Sequence, residues 1–199
     1  MKKRILIIFV KNPELGKAKT RLAASIGDEA ALKIYKRLLE RTKEITQSLP
    51  FTKAVFYSQF KDEQDLWPNE HFTKKLQPEG DLGQKMETAF EWAFAKGYEQ
   101  ICIIGSDCYD LTTNNLIEAF ECLDNHDALI GPARDGGYYL LGLSKTCSSV
   151  FQNKQWSTET VCSDTEKDFQ SEGMSYKKLE TLNDVDTIED LGSWATDLI

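Results

Sequence analysis

The stretch Arg4-Ile5-Leu6-Ile7-Ile8-Phe9-Val10-Lys11 decides the fold. Ile5 to Val10 is a continuous apolar run, rich in β-forming side chains and bounded by charge, so it has no polar face to turn to water. A strand of that pattern is covered on both faces, as in a parallel sheet with helices above and below, and is expected to be central. A Pro/Gly-containing loop follows. Asp28 then caps an expected helix whose Leu32, Tyr35, Leu39 and Ile45 recur close to helical spacing through Ser48.

The same alternation continues outward from this unit. Ala54 to Ser58 reads as a strand and Leu82 to Lys96 as a helix, with Met86, Phe90, Ala93 and Phe94 inward and Gly97 as its stop. Ile101 to Gly105 is a second buried strand, Thr113 to Leu123 a helix, and Ala128 to Ala133 and Tyr138 to Leu143 are strands joined through Gly136 and Gly137. So short a join implies an antiparallel or sharply bent path. Ser157 is expected to cap a helix to Glu172, Ser175 to Leu179 to be a late strand, and Thr187 to begin a last helix with Ile188, Leu191, Ala195 and Leu198 on one face. Gln59 to Lys75, with Trp67, Pro68 and Phe72, shows no clear period and reads as an acceptor-binding loop or an irregular surface connection. Alternating strands and helices with short connections give a three-layer α/β/α fold around a mostly parallel sheet, whose ligands lie beyond the carboxyl ends of the strands.

Composition narrows the function classes. The 199 residues are 41% hydrophobic, enough for one substantial core. A net charge of −8 repels a polyphosphate backbone, which argues against nucleic acid as a partner. Cys102, Cys108, Cys122, Cys147 and Cys162 are odd in number, show no Cys-x-x-Cys pair and suit a reducing compartment. Lys2, Lys3 and Arg4 start like a signal peptide, but the apolar run after them is too short for one, and no stretch approaches the ~20 apolar residues of a membrane helix. A cytoplasmic protein without a membrane partner is expected.

Four loops carry possible chemistry. Lys11 to Arg21 sets Gly16 among basic side chains: Gly16 would let backbone amides approach an anion, and Lys17, Lys19 and Arg21 would supply charge. A solvated basic loop is the alternative, and the pattern is neither a P-loop nor a dinucleotide fingerprint. Gly105-Ser106-Asp107-Cys108-Tyr109-Asp110 puts acids directly after a buried strand, where carboxylates with substrate phosphates and water make a Mg²⁺ site, although Asp110 also reads as a turn residue. Gly131-Pro132-Ala133-Arg134-Asp135-Gly136-Gly137-Tyr138-Tyr139 allows close backbone approach to a ligand or a plain turn, and places at most one of the two tyrosines toward the pocket. Asp184-Val185-Asp186-Thr187 reads as a second acidic loop or as helix capping by Asp186 or Thr187. His71 and His126 have no partner motif, and no Gly-x-Ser-x-Gly elbow exists; the cysteines read as core, with Cys108 singled out beside Asp107.

Taken together, Gly16-Lys17-x-Lys19-Thr20-Arg21-Leu22, Gly80-Asp81-Leu82-Gly83, Gly105-Ser106-Asp107-Cys108, Gly131-Pro132 with Asp135-Gly136-Gly137-Tyr138-Tyr139, Trp156-Ser157-Thr158 and Asp184-Val185-Asp186-Thr187 resemble, over nearly the full length, a family of small GT-A-like transferases. Its members are often found beside radical-SAM and arsenosugar proteins and are commonly described as glycosyltransferases. The resemblance implies one nucleotide-diphospho-sugar transferase-like domain over 1–199, with a Rossmann-like (GT-A) mixed sheet related to nucleotidyltransferases of molybdopterin and phospholactate. It further implies Gly16, Lys17, Lys19, Arg21, Gly83 and Ser106 at the nucleotide, with Lys17 or Arg21 neutralising the leaving diphosphate. Asp107 and Asp186 would be ligands of Mg²⁺ or Mn²⁺, with Asp184 an alternative to Asp186. Asp135 would act as general base, and Gly136, Gly137, Tyr138 and Trp156 would meet the substrate. The family usually carries proline where Tyr109 stands, which leaves the orientation of Asp107 open. The leading expectation is metal-dependent glycosyl transfer from a nucleotide-activated donor to a small acceptor. Guanylyl or cytidylyl transfer is the alternative, and a non-catalytic nucleotide-binding module the third.

Overall fold

The computed structural model describes residues 2–199. Its elements in chain order are β1 (Arg4–Val10), α1 (Thr20–Ile26), α2 (Asp28–Gln47), β2 (Thr52–Tyr57), β3 (Thr73–Leu76), α3 (Leu82–Ala95), β4 (Gln100–Ile104), α4 (Thr113–Cys122), β5 (Ala128–Pro132), β6 (Tyr138–Leu143), α5 (Val161–Ser171) and β7 (Tyr176–Lys178), with short 3-10 turns near the end. All strands join one sheet in the order β3-β2-β1-β4-β6-β5-β7. β6 runs antiparallel to β4 and β5, and the other pairings are parallel, so the sheet is mixed as expected.

The apolar run of β1 serves two cores. Leu6, Ile8 and Val10 join α1, α2 and α4 through Leu22, Ile34, Leu38, Leu116 and Phe120, whereas Ile5 and Ile7 face α3 and α5 through Met86, Phe90 and Phe169. This is why the run shows no alternation: successive side chains leave opposite faces, and both faces are dry. The three-layer α/β/α architecture follows.

Several boundaries differ from the sequence reading. Helix α1 was not expected; its first turn follows Lys19, which is left-handed at φ 51° and provides no side-chain cap. The cap of α2 is Gly27 rather than Asp28, which instead lies with Glu29 in the first turn, where negative charge suits the helix dipole. The edge strand β3 overlaps the end of the stretch read as irregular: Thr-Lys-Lys-Leu carries little apolar signal because it is partly exposed, and lysines blunt a sheet edge. Helix α5 starts at Val161, since Ser157 is left-handed at φ 66° and cannot begin it. The expected last helix is two 3-10 turns, Ile188–Asp190 and Ser193–Leu198. Asp190 accepts hydrogen bonds from the backbone N–H of Asp186 and Thr187 and from the Thr187 hydroxyl, and the chain is extended again at Leu191.

Phe120 is fully buried and meets Phe51 at 4.4 Å between ring centroids. Phe120→Ala is expected to cost about 3–5 kcal/mol, the usual range for an aromatic-to-alanine change in a packed core. Urea denaturation checks it, and a loss below ~1 kcal/mol would place Phe120 outside the cooperative core.

Candidate active site

Three segments distant in sequence meet beyond the carboxyl ends of β1 and β4. The Lys19 side chain is only 5% exposed, and its Nζ lies 2.7 Å from Oδ1 of Asp107 and 3.2 Å from Oδ1 of Asp186. Arg21 reaches the other Asp186 oxygen at 3.5 Å from its own exposed position. The backbone N–H of Val185 donates to the Asp107 carbonyl at 2.9 Å, fixing the two acidic loops to each other independently of the side chains.

Burial alone would depress the Lys19 ammonium, but Asp107 and Asp186 outweigh it and hold its pKa above the ordinary lysine value. Asp184 lies deeper. Burial, then the charges of Asp107, Asp135 and Asp186, push its carboxyl up to about 7, with Lys19 opposing. Excess negative charge is therefore a property of this rim. Among the described residues no three His, Cys, Asp or Glu side chains are grouped so as to hold a metal ion on their own.

The basic loop does not act as one unit. Lys11, Lys19, Thr20 and Arg21 line a polar cavity of about 270 Å³ together with Tyr35, Asp107, Asp135, Ser157 and Asp186. Lys17 is not among these lining residues. The chain turns at Gly16 (φ 72°), Lys17 N–H donates to the Glu14 carbonyl, and the Lys17 ammonium pairs with the Glu14 carboxylate at 3.0 Å. Gly16 itself faces Asp28, whose Oδ2 would stand 3.5 Å from a methyl group added there, so a second anion would meet like charge. The expected phosphate roles of Gly16 and Lys17 thus find no support in their placement, while Lys19 and Arg21 are on the rim.

A second cavity of about 460 Å³ continues from the first and shares Lys11, Tyr35, Asp107, Asp135, Ser157 and Asp186 with it. Its remaining wall includes Ser58, Gln77, Lys85, Ser106, Gly137, Tyr138, Tyr139, Trp156 and Asp184. Tyr138 and Tyr139 do belong to opposite cores, yet both border this space, because the cavity caps the end of the sheet instead of one face. Gly83, expected at the nucleotide, is not among the residues that line the two cavities. A methyl group there would lie 2.3 Å from the Phe151 carbonyl oxygen and 2.5 Å from the Trp156 ring, so its absence is what lets Trp156 lie against α3. Gly136, at φ 89°, would likewise strike the Glu159 carbonyl at 2.1 Å, and its own carbonyl accepts from Cys162 N–H. It docks the Ser157 segment against the Asp135 turn. Asp135 is exposed, and its Oδ1 accepts from Gly137 N–H at 2.9 Å.

Two positioning features were missed in the sequence. The buried Tyr35 hydroxyl accepts from Lys11 N–H, donates to the Lys11 carbonyl and sits 3.3 Å from Ser106 Oγ, joining α2 to the loops after β1 and β4. Its signal was a hydroxyl in an otherwise apolar helical stripe. Tyr109, standing where the resembled family has proline, stacks on Trp194 at 4.0 Å while Arg37 and Arg41 approach its ring. Arg41 also donates to the carbonyls of Tyr109 and Leu111, so the turn after Asp107 is clamped. The Cys108 thiol is buried and pushed up to about 12, mainly by desolvation, which suits a core residue and not a nucleophile. His126 binds the Cys122 carbonyl and His71 is exposed; neither lines the two cavities. All five cysteines are free thiols, and among the described residues no helix is long and apolar enough to cross a membrane.

Residues 41–158 match the model of a family described as "Uncharacterized protein conserved in bacteria (DUF2064)". The chain belongs to this family. Among solved structures, a protein of Desulfovibrio desulfuricans G20, provisionally assigned as a nucleotide-diphospho-sugar transferase, is 32% identical over 94% of this chain and 84% of its own, with a TM-score of 0.87. A cytidylyltransferase from Leptospira borgpetersenii (15% identity, 96% of this chain and 84% of that one, TM-score 0.56) shares the fold. So does 4-diphosphocytidyl-2C-methyl-D-erythritol synthase from Anaerococcus prevotii (14% identity, 95% and 94%, TM-score 0.54). A search of curated proteins finds no match.

Tyr109→Ala is expected to lower stability by about 2 kcal/mol, from loss of an aromatic pair and its cation–π contacts. Thermal denaturation measures this; an unchanged melting temperature would mean that the Trp194 stack does not hold the Asp107 turn.

Proposed function

We propose that this DUF2064 chain is a transferase that moves a glycosyl group from a nucleotide-diphospho-sugar donor to the hydroxyl of a small acceptor. The observation that carries the reading is the convergence of Lys19, Arg21, Asp107 and Asp186 on one rim, opening into a larger cavity bordered by Tyr138 and Trp156. The assignment of the Desulfovibrio protein supports it. Lys17 is turned away onto Glu14, and Lys19 is shared by two carboxylates. Arg21 and Lys11 line the polar cavity, where they can meet phosphate charge, and Lys85 lines the larger one.

Asp107 and Asp186 fit Mg²⁺ or Mn²⁺: hard carboxylate oxygens converge beside the half-buried Asp184, and donor phosphates and water would complete the shell that two side chains leave open. Such an ion, when bound, supplies Lewis-acid neutralisation of the diphosphate. The residues of the chain do the rest. Arg21 and Lys11 hold the diphosphate and meet the charge it gains as the bond from its oxygen to the anomeric carbon breaks. Asp135, bordering both cavities with one oxygen fixed by Gly137 N–H, takes the proton of the acceptor hydroxyl as that oxygen bonds to the anomeric carbon. Nucleoside diphosphate leaves. Tyr138 and Trp156 border the space for the sugar and acceptor.

Purified protein incubated with nucleotide-sugar donors, nucleoside triphosphates, Mg²⁺ or Mn²⁺ and an acceptor panel tests this. Nucleoside diphosphate release is expected. Pyrophosphate release would replace the reading by nucleotidyl transfer, and binding without product would leave a nucleotide-binding module. A donor that binds must raise the melting temperature by mass action, and Asp107→Ala is expected to abolish the metal-dependent part of that rise. A metal response unchanged in the variant would remove Asp107 from the site.

A further inference from the structure

We infer that Lys19 is a resident counter-ion which a divalent cation has to displace from Asp107 and Asp186 before it can bind. This rests on the metal-assisted reading above and deepens it by assigning the competitor. The ammonium lies between the two carboxylates at 2.7 and 3.2 Å, against oxygens of the side chains that would hold the ion. The burial is lopsided: the Lys19 side chain is 5% exposed and those of Asp107 and Asp186 are 40% and 42% exposed, so the cation is built in and the acids face the cleft.

The local backbone is arranged around that placement. Lys19 is left-handed at φ 51°, a conformation uncommon for a side chain other than glycine, asparagine or aspartate, and it stands immediately before α1 without capping it. Its side chain runs inward, while Thr20 and Arg21 after it line the polar cavity. Two consequences follow from elementary electrostatics. Without added metal, the carboxylates are already held together, so the site is formed in advance and mutual repulsion does not splay the loops. A metal ion entering meets a positive charge on the same oxygens and binds more weakly than the acids alone would allow. Once displaced, the ammonium stays on the rim beside Lys11 and Arg21.

The test is Mn²⁺ alone, titrated calorimetrically into the purified full chain without donor. In Lys19→Met the affinity for Mn²⁺ is expected to rise by about tenfold or more, because even a screened repulsion between two cations at such separations exceeds thermal energy. Lys19→Arg, which keeps the charge, is expected to stay within about threefold of the wild type on the same ground. Lys19→Gln keeps a donor without charge and serves if the methionine variant does not fold; it is expected to move in the same direction as Lys19→Met. Asp107→Asn added to Lys19→Met is expected to reverse the gain. Equal or weaker Mn²⁺ binding by a folded Lys19→Met or Lys19→Gln variant, alongside measurable binding by the wild type, overturns this inference and leaves the metal-assisted reading standing. No Mn²⁺ binding by any form overturns both.

Discussion

One ionic arrangement holds the candidate site together: a single buried ammonium shared by two carboxylates from different loops. Lys19 comes from the entry to α1, Asp107 from the turn after β4, and Asp186 from the chain beyond β7. An uncompensated cation so deeply buried would be costly, and so would two facing carboxylates without a cation. Each part is therefore tolerable only with the others present. The Val185–Asp107 backbone bond adds a constraint that does not depend on charge.

Around this centre, shape is set by where side chains are missing as much as by where they are present. Gly83 leaves room for Trp156 against α3, and Gly136 lets the Ser157 segment lie directly on the Asp135 turn. Together they draw the connection before α5 over the end of the sheet, which turns an open strand terminus into a cleft with a polar compartment and a larger, more aromatic one. The proposed donor, a charged diphosphate joined to a less charged sugar, would follow that division. The antiparallel β6 contributes by carrying Tyr138 and Tyr139 to the same end where the parallel strands finish.

Much of the frame was legible because burial writes itself into composition. Ile5 to Val10 and Ile101 to Ile104 could only be doubly covered strands, and Gly136-Gly137 announced the tight reversal into β6. What escaped was written in geometry. Thr73 to Leu76 is half-exposed at an edge and has little apolar signature. Nothing in a row of basic residues says which will point inward: Gly16 turns Lys17 back onto Glu14, and the left-handed backbone at Lys19 sends that lysine into the interior. The acidic loops were recognisable as acids in the right place, but that a lysine would bridge them was not, since it depends on three segments meeting. Tyr109 removed a proline from the expected pattern, and the replacement rigidity comes from Arg41 and Trp194, which lie far along the chain.

The most direct measurement is a crystal structure of the protein soaked with a nucleoside diphosphate and Mn²⁺, with anomalous data collected at the manganese edge. The account predicts one anomalous peak bounded by Asp107 and Asp186, diphosphate oxygens beside it and beside Arg21, and the Lys19 ammonium no longer between the two acids. Diphosphate bound away from this rim, or manganese held elsewhere with Lys19 still bridging the two carboxylates, would contradict it.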